Sequence, residues 1–173
     1  MHRSSGTLAN VVGGFNYVAT AARASGRPSI ASASLGGGAS TAIDDAVAAL
    51  AGAGVHAVVA AGNSNVNAAN TSPARVPSAI TVGATDINDA KASFSNYGAV
   101  VDIWAPGVSI TSTYCCATTS TSVLSGTSMA TPHVAGLAAL YIAANGNVSP
   151  ASLSSNLWST SGILTGIREL FLC

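Results

Sequence analysis

Eleven residues, Gly126-Thr-Ser-Met-Ala-Thr-Pro-His-Val-Ala-Gly136, introduce the strongest helical pattern of the chain, which runs from Met129 to Ala144. Small side chains surround Ser128, so another backbone can approach its hydroxyl closely. Peptide N–H groups at a helix start have no partner inside the helix and can stabilise an oxyanion on an attacked carbonyl. Pro132 is tolerated here because a missing N–H costs little near a helix start. The stretch predicts a nucleophilic serine, whereas a serine that only caps the helix is the simpler alternative.

Helical and strand patterns alternate along the rest of the chain. Apolar spacing predicts a helix over residues 8–23 that ends near Gly26, and Thr41 with Asp44 has capping-box spacing at the start of a second helix. Short apolar runs predict buried strands over 30–35, 55–61, 79–84 and 100–105. Strand, helix and strand in succession imply a right-handed parallel crossover. The sequence therefore predicts an α/β fold in which helices cover a mainly parallel sheet.

Length and composition exclude several classes of protein. The chain has 173 residues, enough for one domain, and only 7% of them are charged against 49% hydrophobic. The net charge of zero offers no electrostatic footprint for nucleic acid or for an anionic membrane surface. The apolar run 46–61 is interrupted by Gly52, Gly54 and His56, which favours helix, turn and strand over a membrane span. We expect neither nucleic acid nor membrane as a partner.

The segment 126–136 is very similar to the nucleophile motif of the subtilisin-like serine peptidases, and the surrounding sequence most resembles the fungal, proteinase K-like group. The resemblance covers residues 6–167 and implies a three-layer fold with helices on both faces of the sheet. It implies that Ser128 is the nucleophile. Ala60-Ala-Gly-Asn63 resembles the oxyanion-hole segment, in which the Asn63 amide and the Ser128 N–H donate to the developing charge. Taken alone, Asn63 would be read as a turn residue.

The resemblance also implies a substrate-binding surface. Ser34-Leu-Gly-Gly37 resembles the strand that pairs with the substrate backbone, and the segment 60–62 resembles the opposite wall of the first specificity pocket. Extended backbone of this kind binds peptides by strand addition, which favours broad specificity. The residues implied are Ser34, Leu35, Gly36, Gly37, Ala60, Ala61 and Gly62.

Three residues fall where proteinase K-like enzymes bind a structural calcium ion. Pro77 and Ala79 would supply backbone carbonyls and Asp102 a carboxylate, which are suitable hard oxygen ligands. A purely structural carboxylate is the alternative for Asp102. No catalytic cofactor is implied. Three cysteines, at 115, 116 and 173, match neither a metal-ligand spacing nor a disulfide framework, and we expect incidental thiols.

A serine nucleophile needs a base, and the base needs an orienting group. His133 follows Ser128 by five residues, so on a regular helix it lies about 140° around and about 7.5 Å along the axis, and we expect it to point away. His56 begins a buried strand, and His2 lies in an unanchored start. We expect no histidine of this chain to serve Ser128.

The carboxylates offer no better partner. Asp44 and Asp45 lie in a first helical turn, where the dipole favours negative charge, whereas Asp86 and Asp89 lie in a turn-rich stretch. The family's aspartate segment and its His-Gly-Thr-His-type segment precede everything that matches here, and neither is present.

We therefore expect a partial catalytic domain of a serine endopeptidase that forms its acyl-enzyme on Ser128 but lacks the Asp and His of the triad. Residues 1–5 would be an unanchored start without a signal peptide, 6–167 the C-terminal portion of the peptidase domain with its N-terminal strands missing, and 168–173 an atypical tail. The alternative is a non-catalytic peptide-binding remnant. The whole enzyme is expected to be secreted and monomeric, with polypeptide substrates.

Overall fold

A computed structural model of the chain describes residues 6–115 and 117–159, the side chains of the last two excepted. The predicted unanchored start 1–5, the tail 168–173, Cys116 and Cys173 lie outside the described residues. The helices and strands are α1 (Leu8–Ser25), β1 (Ser29–Ala33), β2 (Gly37–Gly38), α2 (Thr41–Gly52), β3 (Val55–Ala60), β4 (Thr71–Ser72), β5 (Ile80–Thr85), β6 (Ile103–Pro106), β7 (Ile110–Thr113), β8 (Thr121–Leu124), α3 (Thr127–Asn145) and α4 (Pro150–Ser159).

The main sheet has the strand order β1-β3-β5-β6, and all of its neighbours are parallel. Successive side chains of β3 point to opposite faces. Val55 and Val59 pack with α1 and α2 in one apolar cluster, whereas Val58 packs with α3 and α4 in the other. Helix α3 contacts all four strands. Helices therefore cover both faces of a parallel sheet, which confirms the predicted three-layer α/β architecture.

The predicted first helix is confirmed at both ends. Thr7 caps α1 by accepting a hydrogen bond on its hydroxyl from the Asn10 N–H at 3.3 Å. Gly26 ends the helix with a φ of 62°, a left-handed conformation that glycine adopts without strain.

The capping box predicted at Thr41 is wrong. The N-cap of α2 is Ser40, whose side chain makes no capping bond, and Thr41 is already helical. Asp44 instead meets the guanidinium of Arg75, with a shortest distance of 2.6 Å. The Asp44 carboxylate therefore forms an ion pair with a residue 31 positions away, which the local sequence pattern could not predict, instead of a bond within a capping box.

The apolar run 46–61 divides into the end of α2 and the whole of β3, as predicted. Within the described ranges, no helix is both long and apolar enough to cross a membrane. The two-stranded pairs β2–β4 and β7–β8 and the helix α4 were not predicted.

Candidate active site

The turn between β8 and α3 sets the position of Ser128. Gly126 donates its N–H to the carbonyl of Gly107 at 2.8 Å, which ties the turn before α3 to the segment that follows β6. Gly126 is the N-cap residue, so Ser128 is the second residue of the helix. Its peptide N–H is therefore one of the donors that a helix leaves without an internal partner.

Pro132 frees the Ser128 carbonyl for a partner outside the helix. The residue four positions after Ser128 would normally donate its N–H to this carbonyl, and proline has none. The Ser34 hydroxyl donates to the Ser128 carbonyl instead, at 2.8 Å. In return the Ser128 hydroxyl lies 3.4 Å from the Ser34 carbonyl, to which it donates. The two serines thus hold the segment after β1 against the start of α3.

The side-chain amide of Asn63 is oriented by Thr127. The side-chain oxygen Oδ1 of Asn63 accepts hydrogen bonds from the Thr127 N–H at 2.8 Å and from the Thr127 hydroxyl at 2.9 Å. A Cβ placed on Gly126 would lie 3.5 Å from Asn63 Nδ2 and 3.6 Å from the Ser128 nitrogen. Two nitrogens that carry N–H donors therefore lie near one point beside Gly126, with Met129 Sδ at 3.7 Å from it. An oxyanion hole needs two such donors close together.

Buried Asn96 fixes the loop that carries Asn63. Asn96 is 1% exposed, and its Nδ2 donates to the Ala61 carbonyl at 2.8 Å. Its Oδ1 accepts from the backbone N–H groups of Ser64 at 3.0 Å and Val66 at 3.1 Å. Gly62 has a φ of 104°, and a Cβ there would overlap the Asn96 amide. Glycine is required at this position by both its conformation and its neighbour.

The sequence reasoning missed Thr127 and Asn96 as site residues. Thr127 also accepts the Gly62 N–H on its hydroxyl at 3.2 Å, so it joins the two segments that bear the donors. In the sequence, the only sign of this role was that Thr127 lies next to Ser128. Asn96 acts on partners 30 to 35 residues away, for which the sequence gives no local signal.

Both predicted substrate-binding segments contact the start of α3, Ser34 through Ser128 and Gly62 through Thr127. Gly37 pairs antiparallel with Ser72, so one edge of this segment is already used within the chain. Leu35 is 39% exposed, whereas Ala60 and Ala61 are buried. The geometry brings Ser34 to Ser128, while the roles of these residues in substrate binding stay predictions.

A cavity of about 320 Å³ lies beside the candidate nucleophile. Its lining residues are Ile110, Thr111, Ser112, Ser128, Met129, Pro132, His133 and Gly136. His133 thus lines the same cavity as Ser128, although its spacing on a regular helix predicted that it points away. The ring Nδ1 of His133 is 2.8 Å from the Met129 carbonyl one helical turn earlier.

No histidine of the described residues is hydrogen-bonded to Ser128. The Ser128 hydroxyl is bonded to Ser34, as above. His56 is buried in β3 as predicted, with Nε2 3.1 Å from Oδ1 of Asn147. His2 lies outside the described residues. Among the described residues, the Ser128 hydroxyl therefore donates to the Ser34 carbonyl and to no histidine.

The three residues of the predicted calcium site lie at the beginnings of β5 and β6. Ala79 precedes β5, and Asp102 precedes β6 and accepts the Thr81 N–H on its carboxylate at 2.7 Å. Burial raises the pKa of Asp102 above its ordinary value, and the Thr81 hydrogen bond opposes this shift. Residues 6–115 and 117–159 contain no cluster of three His, Cys, Asp or Glu side chains, so a cation here would depend on backbone carbonyls such as that of Pro77. Carbonyl and carboxylate oxygens fit calcium in kind.

Comparisons with known proteins agree with this geometry. The model of the subtilase family matches residues 3–170. A cuticle-degrading protease of Metarhizium anisopliae is 48% identical over 170 residues, covering 96% of this chain and 43% of the relative. An alkaline serine protease of Corniculantispora psalliotae is 52% identical over 166 residues, covering 94% of this chain and 43% of the relative.

A solved structure gives the same result. The crystal structure of a cold adapted subtilisin-like serine proteinase superposes with a TM-score of 0.84 at 50% identity, covering 90% of this chain and 55% of that one. The chain thus spans less than half the length of the two fungal relatives named above. With the family model matching nearly all of its residues, the chain belongs to the subtilase family of subtilisin-like serine proteases.

Proposed function

We propose that this chain is the nucleophile-bearing part of a secreted serine endopeptidase that cuts polypeptides through an acyl-enzyme on Ser128. The observation that supports it best is that Asn63 Nδ2 and the Ser128 nitrogen lie 3.5 Å and 3.6 Å from the same point beside Gly126. A relative from Thermus that is 50% identical over 153 residues is named an extracellular serine proteinase, which supports secretion.

The chemistry follows from these groups. The Ser128 oxygen attacks the scissile carbonyl carbon while a base takes the hydroxyl proton. The carbonyl oxygen becomes an oxyanion, which accepts hydrogen bonds from Asn63 and from the Ser128 N–H. Collapse breaks the C–N bond, and the amine leaves with the proton from the base. Water then hydrolyses the ester and regenerates Ser128.

In this proposal the described residues contribute the nucleophile and the oxyanion donors, and the base comes from other sequence. In a subtilisin without its triad, only about 10³–10⁴ over the uncatalysed rate survives. We therefore propose that the 173-residue chain alone does not turn over peptides, and that the base belongs to sequence of the kind found in the unmatched part of its relatives.

Peptide binding without hydrolysis is the second candidate function. The reciprocal bonds between Ser34 and Ser128 support it, because they present the segment after β1 beside the oxyanion donors without any base. The whole protein is proposed to act as a monomer on polypeptides.

A fluorophosphonate probe and an extended peptide inhibitor separate these functions. The chain alone is expected to bind the peptide saturably and to react with the probe far more slowly than an intact relative. Ser128→Ala is the control, since it removes the reacting oxygen and leaves the binding surface. Probe labelling at the rate of an intact relative would refute the proposed dependence on an external base. No saturable peptide binding by either form would refute the second function.

We also propose that calcium stabilises the fold through the Pro77 and Ala79 carbonyls and the Asp102 carboxylate. The chemical type of these donors supports this assignment. A melting temperature that is the same in calcium and in chelator would contradict it.

A further inference from the structure

Lys91 is the only lysine of the chain, and all three of its ammonium protons have acceptors. Nζ donates to the Asn65 side-chain oxygen at 3.0 Å, to the Ala92 carbonyl at 3.2 Å and to the Ser95 carbonyl at 3.0 Å. An ammonium group has three donors and no acceptor, so its hydrogen-bonding capacity is filled.

These partners differ from those of an ordinary surface lysine, which pairs loosely with a carboxylate or with water. In the part of the chain that the structure describes, the one ion pair within 4 Å joins Arg75 to Asp44. Lys91 is held by neutral oxygens, and its Nζ lies 5.6 Å from the centre of the Tyr97 ring, within the range of a cation–π contact. Lys91 is an exposed residue, yet its ammonium is held between three oxygens and one aromatic face, a set of contacts that we call the cage.

The cage joins two segments that are distant in sequence. Asn65 belongs to the loop that carries Asn63, while Ala92 and Ser95 belong to the loop after β5. Asn65 adopts a φ of 52°, an uncommon conformation for a residue other than glycine. Its N–H also donates to the Phe94 carbonyl at 2.9 Å. Lys91 therefore binds the Asn65 side chain of the Asn63 loop, whereas Asn96 binds the loop's backbone.

We propose that Lys91 is a positioning residue that acts as a fixed cation and keeps Asn63 in place to donate to the oxyanion. Its effect passes through Asn65 and does not require Lys91 to touch substrate. The catalytic meaning of this role rests on the proposed peptidase function, but the positioning itself does not.

The Thr127 amide reports on this positioning without any need for turnover. Its N–H is bonded to the Asn63 side-chain oxygen, so it exchanges faster with solvent when Asn63 is displaced. Lys91→Met keeps the length of the side chain but removes the charge and the donors. We expect exchange at Ser64, Val66 and Thr127 to accelerate by about tenfold to a hundredfold, the range for a lost charge-assisted hydrogen bond.

Two variants and one internal reference separate positioning from general stability. Lys91→Arg keeps a cation with donors and is expected to restore a large part of the protection. Arg27→Met removes one exposed positive charge elsewhere and is expected to change none of these amides. Amides of β3, such as those of Val58 and Val59, report global unfolding and are expected to accelerate only by the loss in free energy of unfolding that urea denaturation measures. In Lys91→Met the Thr127 amide is expected to exchange faster than the β3 amides, through a local opening.

The proposal is overturned if Lys91→Met leaves the Thr127 amide unchanged, if Lys91→Arg behaves like Lys91→Met, or if the Thr127 amide of Lys91→Met exchanges no faster than the β3 amides. Should Lys91→Met fail to fold, ¹⁵N-lysine labelling of the wild type gives one ammonium signal to measure. Slow exchange of its protons is expected, and exchange as fast as in free lysine would overturn the cage. These exchange rates do not depend on whether the chain cuts or binds peptides. Failure of the proposed peptidase function is therefore distinguishable from failure of the positioning role of Lys91.

Discussion

Replacing Thr127 by valine removes the hydroxyl that joins the two donor-bearing segments. Thr127 is fully buried, and valine has nearly its shape, so the change leaves packing almost intact. Two hydrogen bonds are lost, the one from the Gly62 N–H and the one to the Asn63 side-chain oxygen. The bond to Asn63 is worth about 0.5–1.5 kcal/mol, and the Gly62 N–H, left without a partner, costs about 1–3 kcal/mol. We expect Thr127→Val to lower the free energy of unfolding by about 1.5–4.5 kcal/mol.

Thr127→Ser is the matched control, since it keeps the hydroxyl and loses one methyl group, worth about 1 kcal/mol. Urea denaturation of the three proteins measures the difference, with the slope compared to detect any change in the denatured state. The serine variant is expected to be the more stable of the two. Equal stability of the valine and serine variants, within about 0.5 kcal/mol, would refute the role assigned to this hydroxyl.

Three further predictions concern neighbouring residues. Gly62→Ala is expected to destabilise the fold by about 2–5 kcal/mol, because Gly62 has a positive φ and an added Cβ would overlap the Asn96 amide. Gly14→Ala in helix α1 should be neutral or stabilising, and equal melting temperatures of the two variants would contradict this. Burial raises the pKa of Asp102, so the folded state without calcium loses stability as the pH rises from the unfolded pKa through the raised folded one. In chelator, Asp102→Asn should abolish this loss of stability with pH. In calcium, the same substitution should abolish any calcium-dependent rise in melting temperature, and a rise that survives it would exclude this carboxylate as a ligand. Ser34→Ala should weaken binding of an extended peptide inhibitor, because the hydroxyl no longer holds the Ser128 carbonyl, and unchanged titration curves would argue against it.

The sequence predicted those parts of the fold that depend on local periodicity. Helices α1 and α3 and strands β1, β3 and β5 lie within a few residues of the predicted ranges, because apolar spacing reports which face is buried. The hairpin of β7 and β8 was missed since its Ser and Thr side chains alternate without a strong apolar face. Strand β6 begins three residues later than predicted.

The site was predicted only where a contiguous motif carries it. Ser128 and Asn63 lie within recognisable segments, and the structure brings them together. Asn96 and Lys91 act on the Asn63 loop from 26 to 35 residues away, so only the folded chain shows their partners. Asp44 has capping-box spacing but bonds to Arg75, because a guanidinium brought close by the fold competes with the local backbone.

We propose that Ser128 is a nucleophile, that Asn63 and the Ser128 N–H are its oxyanion donors, and that other sequence supplies the base. The decisive measurement is peptide hydrolysis by this chain joined to the unmatched portion of the Metarhizium protease. We expect turnover that Ser128→Ala abolishes and that Asn63→Ala lowers by about 10²–10³ in kcat with little change in KM. Turnover that survives Ser128→Ala would exclude Ser128 as the nucleophile, and turnover that Asn63→Ala leaves unchanged would exclude Asn63 as an oxyanion donor.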